Sequence, residues 1–131
     1  MRNRTLELYG KHYTLSWPHE EHESGRPALT SPIYNILKEQ GACFGSKLGW
    51  ERPNWFAPEE ETAQDIYSYC RQNWFPHVGE EHRAVRERVA LFDQSSFAKF
   101  RIICTAAEKA LTRICANNVA KPAGALTYPQ M

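Results

Sequence analysis

Apolar and polar positions change rhythm several times along these 131 residues. Between residues 6 and 17 they alternate loosely, with Leu6 and Leu8 followed by Tyr13, Leu15 and Trp17. A period of two lines up one face of an extended chain, so this stretch predicts one or two short strands. Pro18 to Thr30 is polar, carries Pro18 and Pro27, and reads as a loop. A helix is predicted next. Ser31 can cap its free amides and Pro32 suits its first turn, while Ile33, Ile36 and Leu37 form its apolar stripe. Gly41 offers the left-handed residue that ends such a helix. Ala42 to Phe56 is rich in glycine and aromatics with no helical period, and reads as strand and turn. Pro58 to Asp65 is acidic and reads as an exposed linker.

The second half has a different pattern. Glu80 to about Ala90 predicts a helix whose acids, Glu80 and Glu81, precede its arginines, as the helix dipole prefers. Val85 and Val89 supply its inward face. Phe97 to Ile103 reads as a strand, with Phe100 and Ile102 on one face and Phe97, Lys99 and Arg101 on the other. Thr105 to Glu108 has capping-box spacing. Behind it Ala107, Ala110, Leu111, Ile114 and Cys115 share one face of a helix over 106–117. Gly124 then precedes a last strand, 125–131. Strand, helix and strand over this length predict a right-handed βαβ unit. The chain stops inside that last strand with no cap or polar tail, which reads as a truncated piece.

Composition narrows the classes. With 42% hydrophobic and 24% charged residues the chain is neither a disordered tail nor a membrane protein. A net charge of +1 gives no reason to expect nucleic acid, which demands a basic face. No secretory signal is evident at Met1-Arg2-Asn3-Arg4. Cys43, Cys70, Cys104 and Cys115 lack the spacing of a zinc knuckle or a redox pair, so they read as free thiols.

Candidate chemistry is sparse. His19-Glu20-Glu21-His22-Glu23 resembles a metal motif, but its histidines are three apart and follow a proline, so a solvated loop is the better reading. No metal site is assigned. There is no GxGxxG, so this stretch supplies no dinucleotide site by itself. Two aromatic clusters, Trp50 to Phe56 and Gln72 to Phe75, mix rings with Arg52, Glu51 and Asn73. Such a surface suits a ligand pocket or a domain interface.

Several segments together resemble a known family. Ser24-Gly25-Arg26-Pro27, Gly41-Ala42-Cys43-Phe44-Gly45 and Gly49-Trp50-Glu51-Arg52-Pro53-Asn54-Trp55-Phe56-Ala57 look like the central region of dimethylglycine and sarcosine dehydrogenases. Glu81-His82-Arg83-Ala84-Val85-Arg86 and Leu91-Phe92-Asp93-Gln94-Ser95-Ser96-Phe97 resemble the start of their folate domain, which is similar to the aminomethyltransferase (T-protein) of glycine cleavage. The resemblance covers nearly all of the chain after residue 11 and is closest to bacterial members.

The fold it implies is α+β: a strand-helix-strand central piece, then the opening βαβ unit of a T-protein-like domain. Residues 1–60 would end the FAD-dependent central domain, 61–78 would link, and 79–131 would begin the folate-binding domain. The activity implied is oxidative demethylation of dimethylglycine or sarcosine with FAD, whose site would lie mainly upstream, and capture of the one-carbon unit by tetrahydrofolate. A non-catalytic relative, similar to the regulatory subunit of pyruvate dehydrogenase phosphatase, and a plain folate-binding module are the alternatives. The resemblance assigns Phe97 and Tyr128 to the folate pocket and no catalytic residue to this stretch. It implies a cytoplasmic location in a bacterium and the mitochondrial matrix in a eukaryote.

Overall fold

The computed structural model describes residues 2–130. The chain forms two compact units, Met1–Phe97 and Ala98–Met131.

The first unit opens with helix α1, Arg2–Lys11, where alternation predicted strand. The reason for the difference is polar. Leu6 and Leu8 stay exposed, and Glu7 pairs instead with Lys11 one turn on at 3.5 Å. Glu7 also accepts the Glu23 and Ser24 amides at 2.8 and 2.9 Å and the Ser24 hydroxyl. Arg4 Nε donates to the Ser24 carbonyl at 2.9 Å. Side chains at i, i+3 and i+4 meet only on a helix, so these contacts select it over a strand.

Helix α2, Tyr34–Glu39, lies where Ser31-Pro32 predicted one, but no side chain caps it. Ser31 instead helps to hold the Asp93 carboxyl below its ordinary range. Gly41 does end this segment, at φ +83. A Cβ there would sit 2.5 Å from the Ala57 carbonyl oxygen, so the position admits no other residue without movement. The glycine lets α2 run directly into a hairpin of β1, Ala42–Lys47, and β2, Trp50–Phe56. A two-residue turn joins them, with φ 52 at Leu48 and φ 86 at Gly49. Positive φ at both turn residues matches the twist of paired strands.

The register runs from Lys47 opposite Trp50 to Ala42 opposite Phe56, with a bulge between Cys43 and Phe44. Pro53 sits beside that irregularity, where a missing amide costs least. Leu29 adds a short parallel bridge to the hairpin at Trp50.

Trp55 is 1% exposed and centres the small core with Cys43 and Ala57, against which Trp74 and Val78 pack. Those two residues explain the start of helix α3, Phe75–Glu87, five residues before the expected Glu80. Pro76 falls in its first turn, where no amide is needed. The inward residue is Val78, whereas Val85 and Val89 are exposed. Glu81 accepts the Phe56 amide at 2.9 Å and so ties α3 to β2.

The second unit contains helix α4, Ala107–Ile114, shorter than the expected 106–117 and without the Thr105 side-chain cap. Among the described residues neither 97–103 nor 125–130 is a strand, so the βαβ unit is not formed; Met131 lies outside them. Alternation fixes which side chains share a face but supplies no partner for the backbone groups. One bond links the far ends of this unit, Ala116 N–H to the Gln130 carbonyl at 2.8 Å. Phe100 and Leu126 remain exposed, while Cys115 is buried at the end of α4. The α+β class stands, built from helices and one two-stranded antiparallel sheet.

Candidate functional site

The loop before α2 is fastened to the hairpin by Arg26. Its Nε and Nη2 reach the two carboxylate oxygens of Glu51 at 2.9 and 2.6 Å, and Nη2 also donates to the Phe44 carbonyl at 2.7 Å. Glu51 is buried, and its bonds to the guanidinium hold Arg26 above its ordinary pKa. A fork meeting a carboxylate in two parallel bonds is the strongest arrangement open to this pair.

Beside it lies a cavity of about 420 Å³, lined by Glu20, Glu21, Asp65, Gln72 and Trp74 among others. Its polar groups already serve one another. Glu20 pairs with Lys11 at 2.8 Å, which holds the carboxyl below its usual range. Glu21 accepts the Ser46 amide at 2.5 Å. Asp65 accepts the Trp55 indole N–H at 2.7 Å. Gln72 bridges the Trp74 indole and the Pro18 carbonyl at 2.7 and 2.8 Å. Burial, foremost, and the nearby Asp65 push the Cys43 thiol up to about 11, which keeps it protonated and inert. This cavity is a structural knot. His19 and His22, the two histidines of the metal-like run, meet Trp74 and Glu7 respectively rather than each other. Among the described residues no three ligand-type side chains gather for a metal.

A second cavity, about 360 Å³, has more apolar walls. Leu37, Phe56, Val85 and Phe92 line it together with Arg52 and Asp93. Phe97 adjoins it. The turn before Phe97 is built by Asp93, whose carboxylate accepts the Ser95 amide at 2.9 Å, and by the Phe97 amide donating to the Gln94 carbonyl at 3.1 Å. Hydrogen bonds from Ser31, first, and Ser95 hold the Asp93 carboxyl below its ordinary range. The turn presents the Phe97 ring 54% exposed, with the Arg52 guanidinium 4.9 Å from its centroid. Sequence reasoning placed Phe97 facing out and missed Arg52 as its companion. The clue was Arg52 in the aromatic cluster of β2, but only the hairpin register shows which ring it meets. Tyr128, in the second unit, is 97% exposed.

The residues 33–131 match the GCVT N-terminal domain. The chain belongs to that family. The match takes in α2 and the hairpin as well as the stretch from 79 onward. Among similar proteins, 4-methylaminobutanoate oxidase (formaldehyde-forming) of Paenarthrobacter nicotinovorans is 48% identical over 102 residues, which are 78% of this chain and 12% of that protein. Mitochondrial dimethylglycine dehydrogenase of Rattus norvegicus is 38% identical over 119 residues, 90% of this chain and 14% of its own. Mitochondrial sarcosine dehydrogenase of Mus musculus is 32% identical over 156 aligned positions, 100% of this chain and 17% of its own. The chain thus spans less than a fifth of the length of these relatives. The resemblance read from the motifs and the GCVT N-terminal domain family agree.

Proposed function

We propose that this stretch belongs to an FAD-dependent oxidative demethylase of N-methylated amino acids, and that its GCVT-type part offers a site for tetrahydrofolate. The observation that carries the reading is alignment along 90–100% of this chain with two dehydrogenases of N-methylated glycines. Their one-carbon product needs an acceptor, and the exposed Phe97 ring, in contact with the Arg52 that helps line an apolar-walled cavity, suits a flat heteroaromatic such as a pterin. Tyr128 is proposed as a second folate contact on the family resemblance alone.

No group of this chain is assigned a chemical step. When bound, the flavin would supply the oxidation; the residues of this chain bind and orient the acceptor. FAD is not placed here, since the stretch lacks the glycine motif for its phosphates. For the division of the chain, residues 1–60 are proposed as the end of the oxidoreductase part, 61–78 as a linker and 79–131 as the start of the folate part; the family match itself spans 33–131. Dimethylglycine and sarcosine are the substrates first expected, and the bacterial oxidase adds 4-methylaminobutanoate to the class to be tried. The location proposed is cytoplasmic in a bacterium and the mitochondrial matrix in a eukaryote.

One observation favours a second fate for the carbon. The 48% identical oxidase is formaldehyde-forming by name, which leaves folate without a role. The test uses the full-length protein. Its flavin absorbance should bleach on adding dimethylglycine, sarcosine or 4-methylaminobutanoate under nitrogen. Formaldehyde released per turnover should then fall when tetrahydrofolate is supplied. A protein with no flavin band, or with no bleaching by any of the three, ends the enzyme reading. Bleaching with undiminished formaldehyde ends the folate reading alone.

A further inference from the structure

Arg52 is conspicuous for what surrounds it. It stands on β2 opposite Gly45, next to Glu51, which is wholly engaged by Arg26. Yet among the described residues the Arg52 guanidinium donates no hydrogen bond and makes no ion pair. A guanidinium carries five donors, and one half-buried without acceptors is held by something else. Here that is the Phe97 ring, 4.9 Å from Cζ, with Asp93 acting on it through space.

Asp93 is itself fixed in its own turn, where its carboxylate accepts the Ser95 amide at 2.9 Å. A cation over a ring face is attracted to it, and with no hydrogen-bonding partner among the described residues to draw it away the contact holds the ring in place. Phe97 has no such restraint of its own. It is more than half exposed, and its backbone is held by one turn hydrogen bond, to the Gln94 carbonyl.

We propose that Arg52 is a positioning residue of the folate site, holding the Phe97 ring by one face so that its other face is set for the ligand. This rests on the reading of Phe97 as a pterin contact. It adds a residue from the hairpin, remote in sequence, that lines the cavity and acts on the ligand through Phe97.

A double-mutant cycle on the full-length protein tests it, with tetrahydrofolate affinity measured by calorimetry. Arg52→Ala should weaken binding about two- to fivefold, the range of a partly exposed cation–ring contact. Arg52→Lys, which keeps the charge, should recover most of that loss, and Arg52→Gln should not. In a Phe97→Ala background Arg52→Ala should cost nothing further, because the ring it positions is gone. An equal loss in both backgrounds overturns the proposal by showing that Arg52 meets the ligand itself or supports the fold. Tighter binding in Arg52→Ala overturns it too, since Arg52 would then occupy the face that the ligand takes. A wild-type protein that binds no tetrahydrofolate defeats the pocket reading first, and a Phe97→Ala variant that binds as wild type removes Phe97 from it. Either result is distinct from an Arg52 variant that behaves as wild type, which defeats this inference alone.

Discussion

The two units of this chain are held together by different means. In the first, a buried tryptophan is enclosed by a hairpin and a helix, and polar clamps fasten each adjoining loop: Glu7 to Ser24, Arg26 to Glu51, Asp65 to Trp55, Glu81 to Phe56. In the second, one eight-residue helix with the cleanest apolar stripe in the sequence has little to pack on. Among the described residues of that unit the one buried hydrophobic is Cys115, just past the helix, and Phe100 is 88% exposed. A helix below about 12 residues is marginal without tertiary contacts, however good its pattern. Amphipathicity states a demand for a partner; it does not provide one.

Breaking the strongest clamp gives the largest expected effect. Glu51→Ala leaves the Arg26 guanidinium facing a buried void, and losing one member of such a pair costs about 3–5 kcal/mol. Denaturant unfolding followed by tryptophan fluorescence should show that loss. Replacing both members together, Arg26→Met with Glu51→Leu, should cost much less, because no charge is stranded. Amide exchange should report the contrast directly: Glu51→Ala accelerates the hairpin and leaves the fast exchange of 98–130 as it was. Strong protection of 98–103 or 125–130 in the wild-type chain would show the two units to be alike after all.

The next test takes one residue from each unit. In the full-length protein, Phe97→Ala and Tyr128→Ala should each weaken tetrahydrofolate by on the order of 1–3 kcal/mol, the contribution of a stacked ring, and should affect flavin reduction by substrate far less. Equal damage to both steps would assign these rings to the fold. A loss for Phe97→Ala alone would confine the pocket to the first unit.

The sequence was readable where a local constraint had one solution. The glycines and aromatics of Ala42 to Phe56 foretold strand and turn, Ser31-Pro32 foretold the helix before them, and Gly41 its end. The family was readable from motifs in both units. What stayed hidden depended on contacts distant in sequence. Leu6 and Leu8 alternate like a strand, but Glu7 between them bonds to residues 23 and 24, and that decides for helix α1. The start of α3 was missed because Trp74 and Val78 pack on Trp55, about twenty residues away. The predicted strands of the second unit failed because a period of two says nothing about which chain pairs with them. Arg52 and Phe97 are 45 positions apart, and no spacing rule joins them.

Acid should loosen the first unit from its N-terminal end. The Ser24 hydroxyl, foremost, and the Glu23 amide lower the Glu7 carboxyl from 4.5 to about 2. A carboxyl with a depressed folded-state pKa contributes stability above its unfolded value and loses it as pH falls through the folded one. The contacts of α1 with the 20–24 loop should therefore weaken between about pH 4.5 and 2 and be intact at neutrality. Helical circular dichroism and exchange of the Glu23 and Ser24 amides would follow it. Because Glu7 is near solvent, the effect is small, and Glu7→Gln should flatten it. A pH response confined to residues 98–130 would place the acid-sensitive element in the wrong unit.

The smallest effect concerns the tightest turn. Leu48 is 99% exposed, so its side chain gains nothing from packing, yet its backbone sits at φ 52. An L-residue with a branched side chain crowds its own carbonyl there, at a cost of about 1 kcal/mol that asparagine or glycine largely escapes. Leu48→Asn should thus stabilise the hairpin by up to about 1 kcal/mol, with the gain visible in the Trp55 transition and absent from α4. The neighbouring Gly49→Ala should do the reverse, since φ 86 there is tolerated by glycine alone. The opposite sign for Leu48 carries information of its own. If Leu48→Asn destabilises the full-length protein while stabilising this chain, the exposed leucine is covered in the longer protein, and the turn belongs to an interface that outweighs its backbone strain.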